Sequence, residues 1–284
     1  PLKLVRTGSF RPDQNGIRFE NSMKGLLMPG FPAADFVRAS VEVVRRNASI
    51  GFRPAWKEEW RADNFISAEA IYLRPFTLAE GGLGLNQCYF PWVIIAATPV
   101  GSYFDPNANS KAITTNMIRA TSHGTGWIKC DSNYVIPILA KKAAQAQGYM
   151  EAIFLDPKDQ TFVEEGSSCN IFFLLKDGSL VTPAVEDRIL DGINRRSVMV
   201  LARDMGVKVE ERPISIHEAM DKGTECFVTG TAAGVSFIES VTHQGKTAVF
   251  GKGTMGELTT RLLVNLKGIQ YGTIADKYGW MVGV

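Results

Sequence analysis

The clearest alternation of apolar and polar positions lies in the second half of the chain, where short apolar runs are separated by turn-forming clusters. Asn133 to Gly148 reads as a helix behind an Asp131 or Ser132 cap, although Pro137, which lacks a backbone donor, falls within its second turn. Ala152 to Leu155 predicts a short buried strand, Asp156-Pro157-Lys158-Asp159 a turn, and Thr161 to Glu164 the strand that follows. Asn170 to Leu175 and Leu180 to Thr182 flank Asp177-Gly178, two residues that tolerate positive φ, and so predict a hairpin. Gly192 to Met205 has a helical period, with Gly206 placed to end it. Val207 to Glu211, Glu225 to Thr229 and Val235 to Ile238 read as strands, and Thr254 to Leu266 as a terminal helix.

The first hundred residues carry helical stretches at Ala33 to Arg46 and Ala55 to Asp63, then β-like runs at Ala70 to Phe76 and Pro91 to Ala97. From Gly101 to Gly126 the chain turns polar and glycine-rich, with Asp105-Pro106-Asn107 and His123-Gly124-Thr125-Gly126 as breakers. This pattern predicts an N-terminally incomplete small α/β domain over residues 1–100, a connection over 101–126 and a larger domain over 127–284. Strands outnumber helices without a strict βαβ rhythm. The expected class is mixed α/β (α+β) with a largely antiparallel sheet or barrel, not a Rossmann domain.

Composition narrows the function. The 284 residues are 45% hydrophobic, enough for one large core or two smaller ones. Lys+Arg 31 nearly balances Asp+Glu 29 and no long basic block occurs, so nucleic acid is not an expected partner. Apolar runs such as Val93 to Ala97 are too short to span a bilayer. Pro1-Leu2-Lys3-Leu4 has neither an initiator Met nor the apolar core of a signal peptide, and reads as a cut. Cys88, Cys130, Cys169 and Cys226 form no CxxC pair, and His123, His217 and His243 have no ligand spacing, so no metal is assigned. An intracellular, reducing compartment is expected, cytoplasmic with a mitochondrial location left open.

The chemistry sits in Lys129-Cys130-Asp131-Ser132-Asn133-Tyr134 and in Glu165-Gly166-Ser167-Ser168-Cys169-Asn170-Ile171-Phe172. A lysine, a tyrosine and a glutamate in that order point to a pyridoxal phosphate site. The lysine amine attaches the cofactor aldehyde, a carboxylate beside the pyridine nitrogen keeps it protonated, and a phenol holds the ring oxygen. Gly192-Ile193-Asn194 opens a predicted helix whose free backbone donors and dipole favour a dianion. Thr231, in the small-residue loop Gly230-Thr231-Ala232-Ala233, adds a hydroxyl and an amide. Taken singly, Lys129 is a solvated surface lysine, Glu165 a polar strand end, Tyr134 a packing residue and the loop a tight turn.

As an ordered set, these residues carry a resemblance. Together with Ile189-Leu190-Asp191-Gly192-Ile193-Asn194-Arg195-Arg196 and the tail Gly268-Ile269-Gln270-Tyr271-Gly272 with Gly279-Trp280, they resemble the branched-chain amino-acid aminotransferases, which are fold-type IV pyridoxal phosphate enzymes. The likeness runs in order from about Tyr72 to Met281. It implies a small α/β domain, a larger pseudo-barrel domain, a homodimer, and transamination between a branched-chain or other hydrophobic amino acid and 2-oxoglutarate. It makes Lys129 the attachment lysine, which needs partial burial or cationic neighbours to lower its pKa, Glu165 the pyridinium partner and Tyr134 the phenol. It assigns phosphate to Thr231 and the Ala232 and Ala233 amides to the substrate α-carboxylate. Tyr72-Leu73-Arg74-Pro75 resembles the family's Tyr-x-Arg-Pro strand, so Arg74 meets the distal carboxylate of glutamate or else makes a surface salt bridge.

Departures from the family pattern are equally specific. Gly16-Ile17-Arg18-Phe19 runs directly into Glu20-Asn21-Ser22-Met23-Lys24, where the family has a loop whose arginine clasps the phosphate. Neither Arg18 nor Lys24 matches that arginine. Losing one charge-assisted contact costs about 1.5 to 3 kcal/mol, roughly ten- to a hundredfold in affinity. Asp131-Ser132 replaces a glycine pair, and a segment around Arg53 to Asn64 looks inserted. The alternatives are a fold-type IV relative acting on D-amino acids or amines, an aminodeoxychorismate lyase-like enzyme, or a catalytically impaired truncated form used for dimerisation or binding.

Overall fold

A computed structural model describes residues 8–54, 56–101 and 110–284. The chain divides into two compact units, one made of Pro1–Phe104 with Lys267–Val284 and the other of Asp105–Leu266.

In the first unit, β1 (Gly8–Phe10) leads into α1 (Pro12–Gly25), followed by α2 (Ala33–Ser49), the short α3 (Glu59–Ala62) and a long hairpin of β2 (Ala70–Leu78) and β3 (Trp92–Val100). The hydrophobic pattern predicted α2 and both strands. It did not predict α1, which contains Asn15, Gly16, Asn21 and Ser22, all weak helix formers. Tertiary packing holds α1. A Cβ on Gly16 would sit 3.0 Å from the Ala33 carbonyl oxygen, so a larger residue would crowd the start of α2, and Phe19 packs its ring 5.3 Å from that of Phe36. The abrupt Phe19-Glu20 junction is therefore the middle of a continuous helix. Arg18 donates to Asn15 and Lys24 pairs with Glu20 on that same helix. Of the stretch predicted at Ala55 to Asp63, Ala55 lies outside the described residues and only Glu59–Ala62 is helical. The segment that looks inserted supplies Trp60, which clusters with Phe65 and Tyr271, the last two stacked at 5.4 Å.

The second unit holds two mixed five-stranded sheets. Its elements are β4 (Lys111–Thr115), α4 (Val135–Gln145), β5 (Glu151–Leu155), β6 (Val163–Gly166), β7 (Asn170–Leu175), β8 (Leu180–Thr182), α5 (Ile193–Asp204), β9 (Val209–Glu211), α6 (Ile216–Lys222), β10 (Gly223–Gly230), β11 (Gly234–Phe237), β12 (Ser240–His243), β13 (Lys246–Val249) and α7 (Glu257–Gln270), whose last turn belongs to the first unit. One sheet has the order β11-β10-β7-β8-β9 and the other β13-β12-β4-β5-β6. Ile153 and Val163 from one and Ile171, Phe173 and Val228 from the other share one buried cluster. Each such side chain contributes roughly 1.5–3 kcal/mol on burial. Finally, β14 (Met281–Gly283) pairs antiparallel with β1 in the first unit.

Three differences from the sequence reading have local causes. Residues 111–115, which fall in the polar, glycine-rich run read as connection, form β4 in the middle of a sheet, paired parallel to both β5 and β12. The helix expected from Asn133 begins at Val135 after a short 3-10 turn over Asp131–Tyr134. Pro137 thus falls in the first helical turn, where no backbone donor is needed. Glu165 lies inside β6 instead of beyond it, because the strand starts at Val163. Among the described residues no helix is long and apolar enough to cross a membrane.

The start of α7 gives a stability prediction. Glu225 on β10 accepts the Leu258 and Thr259 backbone N–H groups at 3.1 and 2.9 Å and the Thr259 hydroxyl at 2.7 Å. Glu225→Ala leaves those buried donors unpaired, and a loss of about 2–3 kcal/mol is expected in urea unfolding. An unchanged midpoint would show that the cap contributes nothing.

Candidate active site

Strand β6 carries two successive buried carboxylates, Glu164 and Glu165, which face opposite sides of the strand. Each meets a different arginine. Glu164 pairs with Arg188 Nε at 2.5 Å, and Glu165 with Arg119 Nε at 2.7 Å. Burial pushes the Glu165 carboxyl up to about 7, against the charges of Arg119 and Lys129 and a hydrogen bond from the Leu190 backbone, all of which favour the ionised form. The Lys129 charge is thus one of the groups that favour the ionised Glu165.

Lys129 lies just before the 3-10 turn. Its Nζ donates to the Tyr134 hydroxyl at 2.6 Å and sits 5.1 Å from the centre of that ring. The lysine side chain is exposed, where partial burial was one of two expected ways to activate it. Asn133 braces the turn by donating to the Thr125 and Ile128 carbonyls at 2.6 and 2.8 Å. Gly126 is forced by its surroundings, since a Cβ there would lie 2.6 Å from Ala120 Cβ and 2.7 Å from the Arg188 carbonyl oxygen.

The anion end is built by α5 and the β10–β11 turn. Gly192 is the N-cap, in an extended conformation and with no side-chain cap, so the first-turn donors are not taken by a capping side chain. Ile193 is buried and offers only its backbone. Asn194 turns its side chain to the Gly230 carbonyl, donating at 2.7 Å, and so fastens the helix start to the turn that holds Thr231, Ala232 and Ala233. Thr231 is exposed at the tip.

Asn170 joins the two ends. Its Nδ2 donates to the Leu190 carbonyl at 2.8 Å and lies 3.4 Å from Glu165 Oε2, while its Oδ1 occupies the place a Cβ on Gly192 would need. The second unit thus brings together Lys129, Tyr134, Glu165, Gly192, Ile193, Asn194, Thr231, Ala232 and Ala233. Tyr72 and Arg74 stand on β2 of the first unit, with the Arg74 guanidinium 5.3 Å from the centre of the Tyr72 ring.

Sequence reasoning missed Arg119, Asn133 and Asn170. Arg119 is almost fully buried and also donates through Nη2 to the Gly126 and Arg188 carbonyls, tying Glu165 to the segments before Lys129 and before α5. It sits in the run read as connection. The signal available was the need of a buried glutamate for a buried cation.

These groups fit pyridoxal phosphate. An amine beside a phenol, a desolvated carboxylate and an uncapped helix start match its aldehyde, ring oxygen, ring nitrogen and phosphate.

Known proteins resemble this chain over most of its length. The amino-transferase class IV family model matches residues 3–241. A probable branched-chain-amino-acid aminotransferase of Staphylococcus epidermidis is 36% identical over 284 residues, covering 97% of this chain and 76% of that protein. The branched-chain-amino-acid aminotransferase of Mycolicibacterium smegmatis is 34% identical, covering 96% and 74%. Among solved structures, the holo-form of the branched-chain amino acid aminotransferase from Thermobaculum terrenum superposes with a TM-score of 0.78 at 26% identity, covering 97% of this chain and 83% of that one. The Escherichia coli branched-chain amino acid aminotransferase gives 0.78 at 28%, covering 97% and 84%. With these relatives and this site, the chain belongs to the class IV aminotransferases as a member of the branched-chain aminotransferase family, a pyridoxal phosphate-dependent enzyme of fold type IV.

Proposed function

We propose that the chain moves an amino group between a branched-chain or other hydrophobic amino acid and 2-oxoglutarate. The observation that carries this reading is the Lys129–Tyr134 pair at 2.6 Å together with the Arg119-clamped Glu165. Pyridoxal phosphate, when bound, supplies an electrophilic aldehyde carbon and a ring that withdraws electrons from the substrate Cα.

The chain's own residues do the rest. Lys129 Nζ is the attachment point and, once released, removes the proton from the substrate Cα and returns it to the carbon that receives the amino group. Tyr134, hydrogen-bonded to that amine, orients it. Glu165, whose anionic form Arg119 favours, holds the proton on the ring nitrogen. The α5 N-terminus and Thr231 bind the phosphate dianion. The Ala232 and Ala233 amides take the substrate α-carboxylate, and Arg74 takes the second carboxylate of 2-oxoglutarate through its guanidinium fork. With Leu as amino donor, 2-oxoglutarate is expected to be the better acceptor than pyruvate by at least about tenfold in kcat/KM, and Arg74→Met is expected to remove that preference. Equal use of both acceptors, or a preference for D-amino acids, would reject this specificity.

A homodimer belongs to the same reading. Val135, Ile138 and Leu139 expose an apolar stripe at helical spacing on α4, immediately after the lysine and tyrosine, with Trp127 also exposed. Sedimentation equilibrium is expected to give twice the chain mass, and Leu139→Glu to shift the protein towards monomer. A wild-type monomer at micromolar concentration rejects the dimer.

A further inference from the structure

Outside the residues that face the cofactor, the second unit contains a lysine–glutamate pair whose carboxylate is buried and whose lysine is part-buried. Glu151, on β5, is almost fully buried. Its Oε1 accepts the Ala152 and Ser167 backbone N–H groups at 3.0 and 3.1 Å. Its Oε2 accepts from Lys141 Nζ at 3.1 Å and lies 3.9 Å from the Cys169 thiol. Four donors on one carboxylate satisfy it completely, which a buried anion requires.

The partners come from two different parts of the site. Lys141 belongs to α4, the helix that continues directly from the turn containing Lys129 and Tyr134. Ser167 and Cys169 belong to the segment between Glu165 and Asn170. Nothing in the chemistry proposed above uses Glu151 or Lys141, yet their contacts span the gap between the two halves of that chemistry. The packing around the bridge is tight. A Cβ on Gly166 would sit 2.6 Å from Cys169 Sγ and 3.5 Å from Glu151 Cγ. Burial and the Glu151 charge both push the Cys169 thiol upward, so it stays protonated and able to donate.

We infer that Glu151 and Lys141 are positioning residues: the buried Glu151 carboxylate and the lysine it holds fix the distance between the lysine-bearing turn and the Glu165 segment, and so set the alignment of proton transfer against the ring-nitrogen carboxylate. This rests on the transaminase reading. A carboxylate is required because one group must accept two backbone donors and neutralise an ammonium at once. The amide of glutamine accepts hydrogen bonds but removes the negative charge that Glu151 sets against Lys141. A misplacement on the order of 1 Å between reacting groups costs up to about a hundredfold in rate.

The test compares wild type, Glu151→Gln, Lys141→Met and the double variant. In the apoprotein, hydrogen exchange at 130–136 and at 165–170 is expected to accelerate together in either single variant. In the holoenzyme, kcat is expected to fall about ten- to a hundredfold with KM for the amino acid changed less than about threefold, and the pH midpoint of the bound cofactor's absorbance is expected to move. The double variant is expected to be no worse than the worse single one, because the pair acts as a unit. Two results overturn the inference. One is a lowered unfolding midpoint with exchange in only one segment and an unmoved absorbance midpoint, which is the mark of a merely structural pair. The other is additive losses in the double variant. If wild type itself shows no Lys129-dependent cofactor absorbance, the transaminase reading has failed instead, and the exchange experiment still reports on the bridge.

Discussion

Lys129→Ala is expected to lower transamination by more than about a thousandfold, because one amine serves both as attachment point and as the base that carries the α-proton. Borohydride reduction of wild type with pyridoxal phosphate is expected to add one cofactor mass, and peptide mapping to place it at Lys129. The variant should gain none. Lys142→Ala, altering an exposed lysine of α4, serves as the control and should label like wild type. Because Tyr134 remains to orient an amine in the emptied space, a small primary amine in the buffer should restore part of the proton-transfer rate. Continued labelling of Lys129→Ala at another lysine would show that the 2.6 Å contact with Tyr134 marks the wrong amine.

Arg119→Met is the second large effect, and it combines stability with pH dependence. The substitution leaves Glu165 buried without its cation, and a loss of about 3–5 kcal/mol is expected in urea unfolding. The sign with pH follows from burial. The folded-state pKa of Glu165 is raised from 4.5 to about 7, so the folded apoprotein holds a proton that the unfolded chain releases. Its contribution to stability is present below 4.5 and is lost as pH rises through about 7. Without Arg119 the carboxyl rises further, so that window extends upward. Activity moves the same way, since only the anion holds a proton on the ring nitrogen, and the acid limb of the kcat profile should shift to higher pH. Glu165→Gln in the Arg119→Met background should recover stability at neutral pH while leaving the enzyme slow. An acid limb that does not move on Arg119→Met would remove Arg119 from this role.

The parts of the site that were legible in the sequence share one property: each is a contiguous run whose residue types state their chemistry. Lys129 and Tyr134 lie in one six-residue segment, and local chain geometry alone lets them meet. Gly192 to Asn194 opens a helix whose period is plain, and Gly178 closes the hairpin with φ 82°, as Asp177-Gly178 predicts. Arg119 was not legible, because nothing in Met117-Ile118-Arg119-Ala120 distinguishes a buried arginine from a solvated one. Glu151 and Lys141 were hidden for the same reason. Strand β4 was missed because its burial comes from β5 and β12 on either side, not from an apolar pattern of its own. Helix α1 was missed because Gly16 and Asn21 lower helix propensity, which packing against α2 offsets.

Short-range order, helices α4, α5 and α7, the hairpin of β7 and β8 and the residue types of the lysine, tyrosine and glutamate motifs are written in short runs of sequence, since φ/ψ preference, periodicity and side-chain chemistry are local properties. Which arginine neutralises Glu165, which carboxylate ties α4 to the segment after it, and how Asn170 and Asn194 fasten the helix start to its neighbouring turn depend on residues far apart in the chain. Those pairings were decided only when the two sheets closed on a common core, because a buried charge selects its partner from whatever groups folding brings within a few ångströms.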